Sequence, residues 1–365
     1  MSDPRKKILD EMMNRVKRGG EVPLVEPTPP KEEEKGNKLF KTPAPPKGWI
    51  KYSALLDIYK VEYVKGAYDP YVLPPYKDSD WDEASRQDIP SKKIIQERIV
   101  NWEVDSKIAE ALSINAKPII TSPAGAGKTT GVEFYAALMR QPFARMNMNG
   151  NIEPDAILGK IQVSPDKGTY WVDGLYPACL KKGYILCEDE WTKAPSFVNM
   201  ATQWLREEGG CLRLYDKPED QVVVPDSRAR MAYTDNTLGL GDGLDKYAAS
   251  NIQDISTINR HGYFIYAPYL KEEEEVKLLK KWFGETITEQ FSSLLVRFGA
   301  LVRGGYTVGE ITLAWSPRTL KNVATLCLAH SNAWYGVENA YYNALADDSE
   351  RAAVKLWFEQ VFGGV

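Results

Sequence analysis

The 365-residue sequence contains few of the side chains that build metal clusters or disulfide frameworks. It has two histidines, His261 and His330, and four cysteines without any Cys-x-x-Cys spacing. Zinc domains and disulfide-rich domains both need such side chains at short, regular intervals. We therefore expect neither a disulfide scaffold nor a zinc cluster.

Long apolar runs and a strong charge bias are also missing. No run approaches the roughly 18 apolar residues needed to span a bilayer, and the charged amino terminus lacks a signal-peptide core. We therefore expect a soluble, cytoplasmic protein. The formal net charge is −4, from 46 basic and 50 acidic residues. This balance argues against a protein that binds nucleic acid over a broad basic surface. The 43% of hydrophobic residues suffice for a large buried core.

The first part of the chain divides into three segments of different composition. Residues 1–20 predict a basic amphipathic helix, either a frayed tail or a helix that docks into a partner. Residues 21–50 are rich in proline and contain the acidic run KEEEK, which is typical of an extended linker. Residues 51–93 have no clear period and predict an irregular arm against the following domain.

From residue 94 onward, strand-like and helical patterns alternate. The first of them predicts a helix over Ile95–Ala111. The predicted strands are Lys117–Thr121, Phe143–Met148, Gly183–Cys187 and Arg228–Thr234. This alternation is typical of α/β folds with a mostly parallel sheet and helices on both faces. After residue 269 the pattern is helical, so we expect an α/β unit over 94–268 and a small all-helical unit over 269–365.

The motif SPAGAGKTT lies between a predicted strand and an amphipathic helix. Gly125 and Gly127 allow the backbone N–H groups of such a loop to point at a phosphate. Lys128 is expected to reach the β- and γ-phosphates of ATP, and the Thr129 hydroxyl to bind Mg²⁺. Ser122 replaces the glycine that usually opens the motif. The predicted nucleotide-binding residues are Pro123, Ala124, Gly125, Ala126, Gly127, Lys128, Thr129 and Thr130.

An acidic cluster, EDE, follows the apolar run Tyr184–Cys187. Acids at the carboxyl end of a strand beside a phosphate loop can hold a metal ion and polarise water. We assign Asp189 to Mg²⁺ and Glu190 to the attacking water.

Three later polar residues fit phosphoryl transfer. Asn236 ends a predicted strand, where it can orient water or sense the γ-phosphate. Arg260 and Arg318 can place positive charge on the developing anion, from the same subunit or from a neighbour.

This order of motifs resembles the AAA+ ATPases, within them the MoxR-like group, and most closely the CobS-like motor subunits of cobaltochelatases. The segments that carry the resemblance are ILGKIQV, VDGLYPACLKKGYILCEDE, AYTDNTLGLGD and SPRTLKNVA. It covers about residues 95–362 and implies a P-loop module followed by a helical lid.

The resemblance also assigns roles to individual residues. Lys128 and Thr129 correspond to Walker A, and Asp189 and Glu190 to Walker B. Asn236 corresponds to sensor 1, Arg318 to sensor 2, and Arg260 to an arginine finger that acts on the neighbouring subunit. The family usually has Asp-Arg where this chain has Asn259-Arg260.

The family further implies a ring, expected to be a hexamer, that remodels a partner protein. Two hairpins, Ile161–Val172 and Leu212–Val224, correspond to elements that face the pore in related rings. The expected partners are CobT-like and CobN-like chelatase subunits or, in a bacteriophage relative, another client. A McrB-like motor acting with nucleic acid and a nucleotide-locked ring scaffold are the alternatives.

Overall fold

The computed structural model describes residues 44–237 and 251–363. The chain divides after Pro46, and every element below belongs to the unit Lys47–Val365. The helix predicted over residues 1–20 and most of the predicted linker lie outside the described residues. The same is true of residues 238–250, which include the second half of TDNTLGLGD.

Strands and helices alternate up to residue 266, and helices alone follow. The strands are β1 (Ile50–Lys51), β2 (Tyr71–Val72), β3 (Ile119–Thr121), β4 (Phe143–Asn147), β5 (Gly159–Ser164), β6 (Gly168–Asp173), β7 (Ile185–Asp189), β8 (Leu212–Arg213), β9 (Val222–Val223), β10 (Arg230–Asp235) and β11 (Phe264–Tyr266). The α-helices are α1 (Tyr52–Ile58), α2 (Glu83–Gln87), α3 (Lys92–Glu97), α4 (Trp102–Ser113), α5 (Lys128–Met139), α6 (Pro154–Leu158), α7 (Leu175–Leu180), α8 (Ser196–Ala201), α9 (Ile255–Ile258), α10 (Glu272–Phe283), α11 (Glu289–Val308), α12 (Pro317–His330), α13 (Ala333–Ala340) and α14 (Asp348–Phe362).

A five-stranded parallel sheet lies at the centre of the α/β part, in the order β11-β3-β10-β7-β4. β10 pairs with both β3 and β7, so Thr234 lies between Ile120 and Asp189. Because all five strands run in one direction, their carboxyl ends meet at one edge of the sheet. The predicted α/β fold class is therefore confirmed.

Helices cover both faces of this sheet. Side chains alternate between the two faces along each strand, so Ile119 and Ile120 enter different cores. Ile120 packs in the core that includes Ile108 of α4 and Phe134 of α5. Ile119 packs in the core that includes Tyr176 of α7. The two cores hold the strands between two layers of helix, as the alternating pattern predicts.

The single helix predicted over Ile95–Ala111 is wrong. The structure has α3 ending at Glu97 and α4 beginning at Trp102. Between them Arg98 leaves the helical path and forms an ion pair with the buried carboxylate of Asp105. Asp105 also accepts a hydrogen bond from the backbone N–H of Asn101 at 2.9 Å. An acceptor at the start of a helix satisfies its free N–H groups, so a second helix begins there.

Residues 51–93 contain regular elements rather than an irregular arm throughout. Tyr52, Leu55 and Leu56 of α1 are fully buried in the core that contains Ile108. The Tyr59 hydroxyl also donates a hydrogen bond to the Leu138 carbonyl at 2.7 Å. These contacts make the segment part of the α/β core.

Two antiparallel hairpins lie within or overlap the predicted ranges Ile161–Val172 and Leu212–Val224. β5 pairs with β6 over six residues on each strand, and β8 pairs with β9 over two. The carboxyl-terminal helices α10 to α14 form a third core around Phe298 and Trp315. No helix among residues 44–237 and 251–363 is long and apolar enough to cross a membrane.

We expect Leu56→Ala to lower the free energy of unfolding of the full chain by about 2–5 kcal/mol, because it removes a fully buried side chain and leaves a cavity. Ile58→Ala, on the same helix but 56% exposed, is the matched control and should change stability by less than about 0.5 kcal/mol. Urea unfolding followed by tryptophan fluorescence measures both. Equal effects would contradict the packing of α1 into the core.

Candidate functional site

The loop between β3 and α5 has the backbone conformation that the SPAGAGKTT motif predicts. Gly125 and Gly127 have φ angles of +76° and +84°, in the left-handed region that favours glycine. Gly125 has a second constraint, because a Cβ atom there would lie 2.6 Å from the Cβ of Ser316. The loop therefore packs directly against the residue that precedes α12. Its N–H groups and the amino terminus of α5 form a positively polarised cradle for an anion.

Lys128, the first residue of α5, is buried at this edge of the sheet. Its Nζ donates hydrogen bonds to Ser122 Oγ at 2.9 Å and to Asn236 Oδ1 at 2.8 Å. Burial lowers the pKa of Lys128 to about 8, against the opposing charges of nearby carboxylates. The structure thus brings the predicted Lys128 and Asn236 into direct contact.

Asp189 lies at the carboxyl end of β7, where three donors converge on its carboxylate. Thr129 Oγ1 donates to Asp189 Oδ1 at 2.6 Å, and the Thr234 hydroxyl and Arg145 guanidinium also bond to it. Burial by itself would raise the pKa of Asp189, but these hydrogen bonds and the charge of Arg145 lower it below its usual value. The carboxylate is therefore kept ionised.

The oxygens of Thr129 and Asp189 are the kind of hard ligand that Mg²⁺ prefers. Within the described residues, no three His, Cys, Asp or Glu side chains come together to hold a metal ion. A Mg²⁺ ion at Asp189 would therefore take its other ligands from phosphate oxygens and water, as this ion commonly does.

Glu190 follows Asp189 at the same edge. Its backbone has a φ angle of +57°, which is uncommon for a residue with a side chain. Its carboxylate forms an ion pair with Lys193 at 2.7 Å. The structure thus places Glu190 next to Asp189, with its side chain half buried. The backbone turns at Glu190 and leaves the direction of β7.

A cavity of about 370 Å³ lies beside the phosphate loop, between α3, the start of α4 and the carboxyl-terminal helices. The predicted residues Gly125, Ala126, Gly127, Thr130 and Arg318 line it. Its apolar walls come from Ile94, Ile99, Val104, Leu270, Leu278 and Trp282. The structure therefore brings Arg318 of α12 to the loop. The apolar walls were not predicted, because they come from two stretches that are distant in sequence, residues 94–104 and 270–282.

Arg260 lies elsewhere. Its guanidinium contacts Glu207 Oε1 and the Ser256 carbonyl, both at 2.7 Å. Two residues further, the Gly262 N–H bonds to the carbonyl of Ala116, just before β3. The phosphate loop follows β3, so Arg260 and the loop lie at opposite ends of this strand.

Two cationic side chains near the site were missed by the sequence analysis. Arg145 lies beside Asp189 because β4 pairs with β7. The spacing of residues along the chain does not reveal which strands pair, so Arg145 was not predicted. Arg98 Nη1 lies 3.3 Å from Thr130 Oγ1 and 3.5 Å from the Gly127 carbonyl. The only signal for Arg98 was a charged residue inside an otherwise amphipathic helical pattern.

Comparisons with known proteins agree with this geometry. A family model of the AAA domain (dynein-related subfamily) matches residues 119–235. The aerobic cobaltochelatase subunit CobS of Sinorhizobium sp is 25% identical over 267 residues, 72% of this chain and 80% of CobS. Midasin of Dictyostelium discoideum is 33% identical over 141 residues, which are 38% of this chain and 2% of midasin.

Among solved structures, the Holliday junction branch migration motor RuvB of Thermotoga maritima aligns with a TM-score of 0.41 and 14% identity. The alignment covers 69% of this chain and 72% of RuvB.

The matched AAA domain spans β3 to β10 and contains Lys128, Thr129 and Asp189. Nucleotide binding and ATP hydrolysis follow from this domain. The chain is an ATPase with an AAA domain over residues 119–235, and over 72% of its length it is similar to the cobaltochelatase subunit CobS.

Proposed function

We propose that this ATPase is a ring-forming motor that couples ATP hydrolysis to the remodelling of a partner protein. The observation that carries the proposal is the hydrogen-bonded cluster of Lys128, Asn236, Thr129 and Asp189 at one edge of the sheet. The ATPase module would comprise a large α/β subdomain, residues 94–268, into whose core α1 packs, and a small helical subdomain, residues 269–365.

In this proposal the loop residues Pro123 to Thr130 hold the phosphates of ATP. The Lys128 ammonium exchanges its contacts with Ser122 and Asn236 for β- and γ-phosphate oxygens. The cavity beside the loop takes the base, because its walls are apolar and it has the volume of a small-molecule site. Trp282 and Leu270 are the side chains that we expect to contact the base.

Hydrolysis would depend on Glu190, Asn236 and Arg318. A bound Mg²⁺ ion would neutralise charge on the phosphates, with Thr129 and Asp189 as its protein ligands. Glu190 then orients and polarises the attacking water, and Asn236 holds that water or the γ-phosphate. Arg318 contacts the phosphates from α12, so that the angle between the two subdomains depends on the bound nucleotide.

Arg260 supports a ring. It lies beside the amino end of β3, whereas the phosphates bind after the carboxyl end of that strand. An arginine in this position cannot reach the nucleotide of its own chain. It can reach the nucleotide of an adjacent copy, where a positive charge stabilises the transition state. Repetition of such a head-to-tail contact gives a ring when the rotation between copies closes on itself, and we propose that it closes as a hexamer.

The two hairpins are the proposed contacts with the client. Val163 and Tyr215 are each 78% exposed, although apolar and aromatic side chains usually gain by burial. In a ring, both hairpins could line the pore and grip an unfolded segment. The similarity to CobS favours a chelatase assembly with CobT-like and CobN-like partners, or another client where such partners are missing.

We expect Glu190→Gln to keep ATP affinity while lowering kcat by about 100-fold or more, because water is no longer polarised. Lys128→Ala should instead lose nucleotide binding, since it removes the charge that contacts the phosphates. Steady-state hydrolysis and calorimetric binding distinguish the two. Wild-type turnover in Glu190→Gln would contradict the assignment.

ATP affinity should fall as the pH rises above 8. The Lys128 pKa of about 8 means that the free protein loses the ammonium proton in this range. Phosphate binds the charged form, so the binding constant should decrease by up to about tenfold per pH unit. Calorimetry across this range measures the slope.

The matched control is Lys128→Arg, whose guanidinium stays charged, so any affinity that it retains should not depend on pH. A flat profile in the wild-type chain would contradict the prediction.

The client can be identified with the Glu190→Gln variant, which should accumulate an ATP-bound ring. We expect a specific protein to copurify with this variant in ATP and to be lost from Lys128→Ala, the control without nucleotide. Salt-dependent stimulation of the wild-type ATPase by DNA, with no protein retained, would instead favour the nucleic-acid motor.

A further inference from the structure

A fully buried ion pair lies one residue before the proposed metal ligand. Glu188 precedes Asp189 on β7, so its side chain points to the opposite face of the sheet. The carboxylate of Glu188 and the guanidinium of Arg206 are both inaccessible to solvent and lie 3.6 Å apart. Arg206 also lies over the ring of Tyr233, 4.8 Å from its centroid. Because an unpaired buried charge is strongly unfavourable, the two groups hold each other in place.

Arg206 is fixed from its other side as well. Its Nη1 donates hydrogen bonds to the Asn199 carbonyl at 2.9 Å and to Thr202 Oγ1 at 3.2 Å. Arg206 ends the short 3₁₀ helix Gln203–Arg206. This segment is therefore tied to β7, the strand that carries Asp189 and leads into Glu190.

The next residue, Glu207, contacts Arg260. Its Oε1 accepts the 2.7 Å hydrogen bond from Arg260 Nε. A second contact between the same elements is the Gln203 side-chain amide, whose nitrogen donates to the Thr257 hydroxyl at 3.1 Å and whose oxygen accepts from Arg260 Nη1 at 2.7 Å. The segment that contains Arg206 and Glu207 thus contacts β7 through Arg206 and the proposed trans-acting Arg260 through Glu207.

We propose that Glu207 is a positioning residue for Arg260, and that the buried Glu188–Arg206 pair anchors Glu207 to the acid-bearing strand of the chain's own nucleotide site. The inference rests on the proposed action of Arg260 on a neighbouring copy. A shift of β7 during hydrolysis would then move Arg260 through packed and charged groups, which is a contiguous physical link between adjacent sites.

The test compares Glu207→Ala with Glu208→Ala, an exposed carboxylate next in sequence, in the full-length assembly. We expect Glu207→Ala to lower kcat by about 3- to 10-fold, because Arg260 loses one charge-assisted contact. ATP affinity and the thermal midpoint should stay unchanged, and Glu208→Ala should match the wild type. Glu207→Gln keeps an acceptor oxygen and should recover part of the loss.

A double mutant separates positioning from an independent effect. Arg260→Ala should lower kcat on the order of 10³-fold, and adding Glu207→Ala should change it no further. Additive losses would overturn the inference, as would a Glu207→Ala variant that behaves like Glu208→Ala while Arg260→Ala is impaired. Full activity of Arg260→Ala would overturn the trans-acting arginine itself and, with it, the role of Glu207.

The anchor is tested by replacing both buried charges together with Glu188→Met and Arg206→Met, since removal of one would leave the other unpaired. We expect wild-type ATP affinity with the same kcat loss as in Glu207→Ala. Arg206→Lys, which keeps the charge and loses the forked contacts, should show a loss in the same direction. Wild-type kcat in both variants would overturn the anchoring role.

Discussion

A buried ammonium must be surrounded by oxygen atoms, and this requirement organises the whole site. Lys128 meets it with Ser122 and Asn236, which follow the carboxyl ends of β3 and β10. The neighbouring hydroxyl of Thr129 meets Asp189 at the end of β7. Three adjacent strand ends are thereby joined through side-chain contacts which, in our proposal, give way to contacts with phosphate and Mg²⁺ when the nucleotide binds. The same low dielectric that lowers the pKa of Lys128 strengthens its attraction to phosphate.

The loop that presents Lys128 also connects the site to the helical part of the chain. The loop that presents Lys128 needs positive φ angles at Gly125 and Gly127. It also packs so closely on Ser316 that a side chain at Gly125 would collide. Movement of the loop on nucleotide binding must therefore be accommodated at the start of α12, the helix that carries Arg318. This contact gives a physical route from the nucleotide to the orientation of the helical part.

The opposite end of β3 has a different function in our proposal. There Arg260 is held by Glu207, and the buried Glu188–Arg206 pair connects this region back to β7. Asp189 and Glu188 are adjacent residues that face opposite sides of one strand. A single strand can thus serve the chain's own nucleotide on one face and the arginine offered to a neighbour on the other.

The features that the sequence predicted are those that depend on the spacing of residues close together along the chain. The parallel sheet follows from alternating strand and helix patterns, and the phosphate loop from SPAGAGKTT between them. Long-range packing overrode local pattern in two places. The amphipathic run over Ile95–Ala111 breaks because Asp105 is buried with Arg98. The segment after residue 51 is ordered because α1 finds apolar partners on α4 and α5.

The amino-acid sequence alone determined the fold class and the AAA+ resemblance, and it predicted the loop and acid residues of the proposed site, because these depend on neighbours along the chain. The tertiary structure decided that Arg145 meets Asp189, that an apolar cavity adjoins the loop, and that Arg260 lies at the far end of β3. Those facts depend on strand order and on which charges are buried together. Both are set by packing between segments distant in sequence, so residue spacing does not reveal them.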